Sequence, residues 1–148
     1  MKALFLGQYR YSFDDKDRLL IPAGFRELLA EGGFVTQGFD RNLVILTPAA
    51  FQEIYQLIMA LNIADPLARV LQRMFLGNAI EIQVDEAGRI VLPGNLRQFA
   101  NLAGEAVLIG LGDYFEVWAP TLWSQQEATL QDAEANSGRF AGLNLARQ

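Results

Sequence analysis

The feature that most constrains this chain is a motif it carries twice. Asp14, Arg18, Pro22 and Arg26, in the segment DDKDRLLIPAGFR, return as Asp85, Arg89, Pro93 and Arg97 in DEAGRIVLPGNLR, each 71 residues later. The shared pattern is D-x-x-x-R-x-x-x-P-x-x-x-R. Upstream, Phe5-Leu6-Gly7-Gln8 matches Phe75-Leu76-Gly77-Asn78 at an offset of 70, and downstream Gly38, Pro48 and Phe51 match Gly110, Pro120 and Trp123 at 72. Matches kept in order over about 47 positions indicate two copies of one unit related by a pseudo-twofold axis. Each copy is expected to need the other to complete its core.

Local signals agree between the copies. Period-two alternation over Tyr9 to Asp14 and over Ile80 to Asp85 predicts half-buried strands, with Arg18 to Ile21 and Arg89 to Leu92 as the returning strands. Proline then opens a short helix in each copy, Ala23 to Leu29 and Asn95 to Leu102. A second hairpin follows, Phe34 to Gly38 turning at Asp40-Arg41-Asn42 into Leu43 to Thr47, and Ala106 to Leu111 turning at Gly112-Asp113 into Phe115 to Trp118. Thr47-Pro48 and Asp65-Pro66 are N-cap signals for two linking helices, and Pro120 repeats the first of them. The stripe of Phe51, Tyr55, Met74 and Phe75 reads as core and subunit interface, and Arg69 and Arg73 as a solvated or oligomer-contacting face. After Ser137-Gly138 the apolar pattern fades, which predicts a poorly ordered tail.

Along one extended strand, Asp14 and Arg18 would stand roughly 13 Å apart, too far for an ion pair. If residues 15–17 form a three-residue hairpin loop, the two lie directly opposite each other. Such a loop wants positive φ at its third position. Gly88 supplies this in the second copy; the first has Asp17, so positive φ is expected there with some strain. Two roles are open for the arginines. They can be buttresses that pair with Asp14 and Asp85 to close the turns, or the acids can hold them at hairpin tips so that the guanidinium reaches phosphates or base edges of a DNA groove. Arg10, Lys16, Arg18 and Arg26 cluster in the first copy, against Glu81, Ala87, Arg89 and Arg97 in the second. The first copy is therefore the better DNA-facing candidate and the second is expected to be chiefly structural.

Composition narrows the chemistry. Among 148 residues there is no His and no Cys, which excludes a Ser-His-Asp triad, a thiol nucleophile, and imidazole or thiolate metal sites. No cofactor and no metal are expected. The net charge of −5 lies wholly in the second half: residues 1–74 hold eight basic and eight acidic groups, residues 75–148 four and nine. An anionic partner is expected on the first half. The apolar run Ala3 to Gly7 is too short for a signal-peptide core, and no segment approaches the roughly 18 apolar residues of a membrane span. A cytoplasmic protein without a membrane partner is the expectation.

These residues also carry a resemblance. The paired D-x-x-x-R hairpins, the opening FLGQY, the segments RLLIPAGFR and RIVLPGNLR, and the stretch GLGDYFEVW resemble the MraZ family of bacterial transcription regulators, from about Phe5 to Trp123. The resemblance implies an α+β fold of two tandem AbrB-like swapped-hairpin β-barrel units with peripheral helices. The units are drawn at residues 5–51 and 77–123, with linking helices over 52–76 and a C-terminal helix and tail over 124–148. It further implies a homo-oligomeric ring, associated with the nucleoid, that binds repeated double-stranded DNA boxes ahead of the division and cell-wall gene cluster and represses it. Arg18, Lys16, Arg10, Arg26 and Arg89 would contact DNA, supported by Asp14 and Asp85. Asp17 departs from the glycine usual in the family.

Two rivals have different chemistry. An enzyme would need a carboxylate pair such as Asp14 and Asp85, but an arginine four residues on from each favours ionised, inert acids. No small-molecule substrate is expected. An interaction or scaffold protein of the same fold, without DNA binding, would suit the acidic second half.

Overall fold

A computed structural model of the chain describes residues 3–143. In chain order the first copy contributes β1 (Phe5–Ser12), β2 (Arg18–Leu20), α1 (Ala23–Arg26), β3 (Gly33–Gln37) and β4 (Leu43–Leu46). Two helices follow, α2 (Pro48–Met59) and α3 (Pro66–Phe75). The second copy supplies β5 (Ile80–Ile82), β6 (Arg89–Val91), α4 (Gly94–Phe99), β7 (Glu105–Gly112) and β8 (Tyr114–Trp118), and α5 (Pro120–Leu130) and α6 (Ala133–Phe140) close the described chain. The class is α+β, with antiparallel strand pairing throughout.

The pseudo-twofold axis is visible in the strand order. Six strands form one sheet in the order β1-β7-β8-β4-β3-β5, and β2 pairs with β6 in a separate two-stranded ribbon. Exchanging the copies turns β1 into β5, β2 into β6, β3 into β7 and β4 into β8, and the order reads the same from the other end. At the centre of the ribbon Leu19 faces Ile90, residues that the 71-residue offset makes equivalent. At the centre of the large sheet Leu43 faces Val117 and Ile45 faces Phe115, pairs that the offset of 72 exchanges with each other. The same register corrects one sequence match: Leu43 pairs with Gln37 and Phe115 with Gly110, so the counterpart of Gly110 is Gln37 and not Gly38.

The expectation of closed β-barrel units is not met, because the six-stranded sheet ends in two edges, β1 and β5. Nor do the expected first hairpins persist as ribbons. β1 leaves its own copy to pair with β7, β5 pairs with β3, and the returning strands β2 and β6 pair with each other. Only the tip stays within one copy, held by the Phe13–Leu19 bridge and an Asp14–Arg18 backbone hydrogen bond. Local alternation identifies a strand, but its partner is chosen by burial, and here the shared core draws on both copies.

One hydrophobic core results, drawn from both copies. Leu19, Ile21, Phe25, Val35 and Ile45 of the first pack with Ile90, Leu92, Leu96, Leu108 and Phe115 of the second, all nearly inaccessible. On the outer face of the sheet each copy has its own cover. α2 and α3 lay Ile58 and Phe75 on Val44 and Leu46, with Phe34 and Phe51 stacked at 4.2 Å. α5 lays Trp123 on Val107, Ile109 and Trp118. The caps are those read from sequence: Thr47 Oγ1 accepts from the Ala50 N–H at 3.1 Å, and Asp65 Oδ1 from Leu67 at 2.9 Å. The Thr36 hydroxyl, fully buried, donates to the Phe75 carbonyl at 2.6 Å and ties α3 to β3.

Several elements differ from expectation in length: β1 runs from Phe5 to Ser12 instead of Tyr9 to Asp14, and α4 ends at Phe99 instead of Leu102. α1 spans four residues and continues as turns, since Gly32 and Gly33 follow within two turns. β5 stops at Ile82 instead of running to Asp85, because β3 offers partners only from Gly33 to Val35. The chain expected to be poorly ordered beyond Ser137-Gly138 is helical to Phe140, with Asp132 Oδ1 capping α6 through the Ala135 N–H. The remainder of that expectation, residues 144–148, lies outside the described residues.

Candidate nucleic-acid interface

The two D-x-x-x-R segments form matching turns. In the first, the Asp14 N–H donates to the Arg18 carbonyl at 3.0 Å and the Asp17 N–H to the Asp14 carbonyl at 3.1 Å; in the second, Asp85 and Gly88 repeat both bonds at 2.9 and 3.0 Å. Each aspartate locks its turn from within. Asp14 Oδ1 accepts the N–H groups of Lys16 and Arg18, and Asp85 Oδ1 those of Ala87 and Arg89, all at 2.9 Å. The third loop position is left-handed in both, with φ of 59° at Asp17 and 79° at Gly88, as the spacing predicts.

Alternation along β2 and β6 sorts the side chains. Leu19 and Ile90 face the core, so Arg18 and Leu20, with Arg89 and Val91, stand on the outer face of the ribbon. Arg18 lies opposite Val91 and Arg89 opposite Leu20, which makes the arginines diagonal neighbours about 7–8 Å apart at the backbone. Their side chains are 33% and 37% exposed, neither enclosed nor fully solvated.

Both arginines turn to one carboxylate. Arg18 Nε donates to Asp14 Oδ2 at 2.7 Å, and Arg89 Nε lies 3.8 Å from the same oxygen. The expected Asp85–Arg89 brace does not form: among the described residues Asp85 makes no ion pair and serves its turn through backbone bonds alone. The ribbon sets Arg89 diagonally across from Arg18, and its guanidinium turns to Asp14. The backbone N–H of Arg18, its guanidinium and the Lys16 N–H hold the Asp14 carboxyl below its ordinary 3.8, partly opposed by burial. It is ionised at neutral pH.

A second pair of arginines crosses between the copies. Arg26 Nε donates to the Ile21 carbonyl at 2.8 Å and Arg97 Nε to the equivalent Leu92 carbonyl at 3.1 Å. So anchored, Arg26 lies over Gly88 of the second tip, where a Cβ would collide with its guanidinium. Gly88 takes the same left-handed φ as Asp17 and, lacking a Cβ, leaves room for this guanidinium. Arg97 takes the matching place at the first tip, but meets a side chain: Arg97 Nη2 lies 3.5 Å from Asp17 Oδ2. Neither contact was read from sequence, although the fourth position of the repeated motif already marked both arginines.

Of the remaining sequence candidates, Lys16 is exposed at the first tip, and Arg10 stands on β1 facing Glu105 at 3.6 Å, away from the turns in sequence and on a different ladder. Arginines of each copy therefore meet acids of the other, Arg89 beside Asp14 and Arg97 beside Asp17. Lys16, Arg18, Arg26, Arg89 and Arg97 meet Asp14, Asp15, Asp17, Asp85 and Glu86 at the turns, five cations against five acids. Among the described residues no cluster of acidic side chains is arranged to hold a metal ion, and no helix is long and apolar enough to cross a membrane.

Comparison with known proteins agrees with the doubled unit. A family model described as "MraZ protein, putative antitoxin-like" matches twice, at residues 4–74 and 75–141. A protein of Roseiflexus castenholzii named Transcriptional regulator MraZ is 41% identical over 138 residues, 93% of this chain and 94% of its own. Proteins of the same name from Herpetosiphon aurantiacus and Thermomicrobium roseum are 43% and 40% identical, over 81% and 90% of this chain and 84% and 94% of theirs. With two tandem matches and relatives similar over nearly their whole length, the chain belongs to the MraZ family.

Proposed function

We propose that this chain is a transcriptional regulator that binds double-stranded DNA through the outer face of the β2–β6 ribbon and its two flanking tips. The observation that carries the reading is the pair of half-exposed guanidiniums, Arg18 and Arg89, on one face with a single carboxylate between them. Asp14 fixes their direction while leaving one positive charge in excess, and their forks suit phosphate oxygens or guanine edges. Lys16 and Arg26 extend the cationic surface on either side, and Arg10 is a peripheral contact. Asp85 supports Arg89 by fixing the turn that carries it. The names of the relatives support transcription as the process regulated.

The units are residues 5–51 and 77–123, each closing on the first turn of a helix, α2 or α5, with the rest of α2 and α3 linking them over 52–76 and a C-terminal segment following over 124–148. The exchange of β1 and β5 between them supports a swapped-hairpin origin for the fold. With five cations facing five acids, one subunit binds weakly, and several subunits on one assembly compensate because later contacts are intramolecular. The exposed apolar side chains of α2, α3 and their connection, Leu57, Ile63 and Leu67 at 70%, 68% and 76%, support a homo-oligomer. A closed ring with heterologous contacts fits the tandem architecture. The targets are repeated boxes ahead of the division and cell-wall gene cluster, which the protein represses from the nucleoid. Footprinting of that upstream region tests this: evenly spaced protected boxes are expected, and an unprotected region refutes it.

The acidic tips favour one rival, an interaction protein of the same fold that meets a basic partner. Duplex binding separates the two: the regulator binds a labelled duplex with an affinity that falls steeply with salt, and the interaction protein leaves the duplex unbound at low salt.

A further inference from the structure

The two tips are built alike except at one residue, and that residue changes what an arginine can do. At the second tip Gly88 lets Arg26 lie flat against the turn, and among the described residues no carboxylate pairs with it. At the first tip Asp17 fills the equivalent place and takes Arg97 into an ion pair, with the acid 58% exposed and the arginine 27%. We propose that Asp17 sets the strength and salt dependence of DNA binding at the first tip, by adding a carboxylate to the contact face and engaging the Arg97 guanidinium in an ion pair there. This rests on the regulator reading above.

The pseudo-twofold axis supplies the comparison within the molecule. Both arginines are anchored by Nε to the carbonyl five residues before them, so both start from the same place and the same direction. Replacing Asp17 by glycine gives Arg97 the seat that Arg26 already has. It also removes the strain of a left-handed non-glycine residue. The surface then gains one net charge and one guanidinium free to meet a phosphate.

The test measures fluorescence anisotropy of a labelled random-sequence duplex across a salt series, using the full chain. Asp17→Gly is expected to bind about 3- to 10-fold more tightly at low salt, with a slope against salt steeper by about one unit. Asp17→Asn, which keeps the side-chain shape and tolerance of the left-handed region, is expected to shift in the same direction. Arg97→Ala is expected to cost more affinity in the Asp17→Gly background than in the unaltered chain. An ordinary structural role for Asp17 would weaken binding or leave the slope unmoved. Unchanged affinity and slope in both Asp17 variants, while Arg18→Ala still loses binding, overturns this inference alone. Absence of duplex binding by the unaltered chain at low salt overturns the regulator reading as well.

Discussion

At the scale of single residues, one carboxylate serves both a turn and the arginines of the ribbon. Asp14 closes its own turn through two backbone N–H groups and orients two guanidiniums from different copies. Because its pKa is depressed in the folded state, the stability it contributes is full above the ordinary value of 3.8 and is lost as pH falls through the lower folded value. The melting temperature of Asp14→Asn is therefore expected to fall below that of the unaltered chain at neutral pH. The gap is expected to shrink as pH drops below 3.8, which thermal melts across that range check. A constant gap would mean that the carboxylate's charge has no part in holding the tip. Much of this residue-level arrangement was legible beforehand. The i, i+4 spacing of Asp14 and Arg18 is useful only across a turn, and glycine at the matching place of the second copy foretold the left-handed Asp17. What was not legible is which acid Arg89 faces, since that depends on a strand pairing with no local signature.

At the scale of elements, nearly every strand and helix announced itself, through alternation or through a capping pair such as Thr47-Pro48. Their partners did not. β1 and β2 follow each other with five residues between them, yet each pairs mainly with the second copy, because that arrangement buries Leu19, Ile90, Phe5 and Phe115 together. Period-two patterning specifies a face to be buried and says nothing of what covers it. The helices show the converse case. α3 buries Ala68 and Phe75 but leaves Leu67 and Val70 in solvent, an apolar face larger in extent than scattered surface residues explain. If subunits meet there, Leu67→Glu is expected to weaken self-association by about tenfold or more, about 1.4 kcal/mol per tenfold, while leaving the fold intact. Size-exclusion with light scattering and circular dichroism reads both. An unaltered assembly would place the subunit contact on another face.

At the scale of the whole molecule, doubling explains the design. Two copies of a unit too small to enclose its own core exchange strands until one core serves both, and the same axis that passes between Leu19 and Ile90 gathers four arginines onto one exposed surface. Their near cancellation by acids makes charge balance, rather than charge excess, the quantity that mutation should move. The central claim is that the guanidiniums of the β2–β6 ribbon meet DNA, and the most direct measurement is duplex affinity across salt for the unaltered chain and for Arg18→Ala. Arg18→Ala is expected to lose about 10- to 100-fold in affinity and about one unit of salt slope, with its oligomeric state and melting profile close to those of the unaltered chain. Equal affinity and slope in a folded Arg18→Ala assembly would contradict the account.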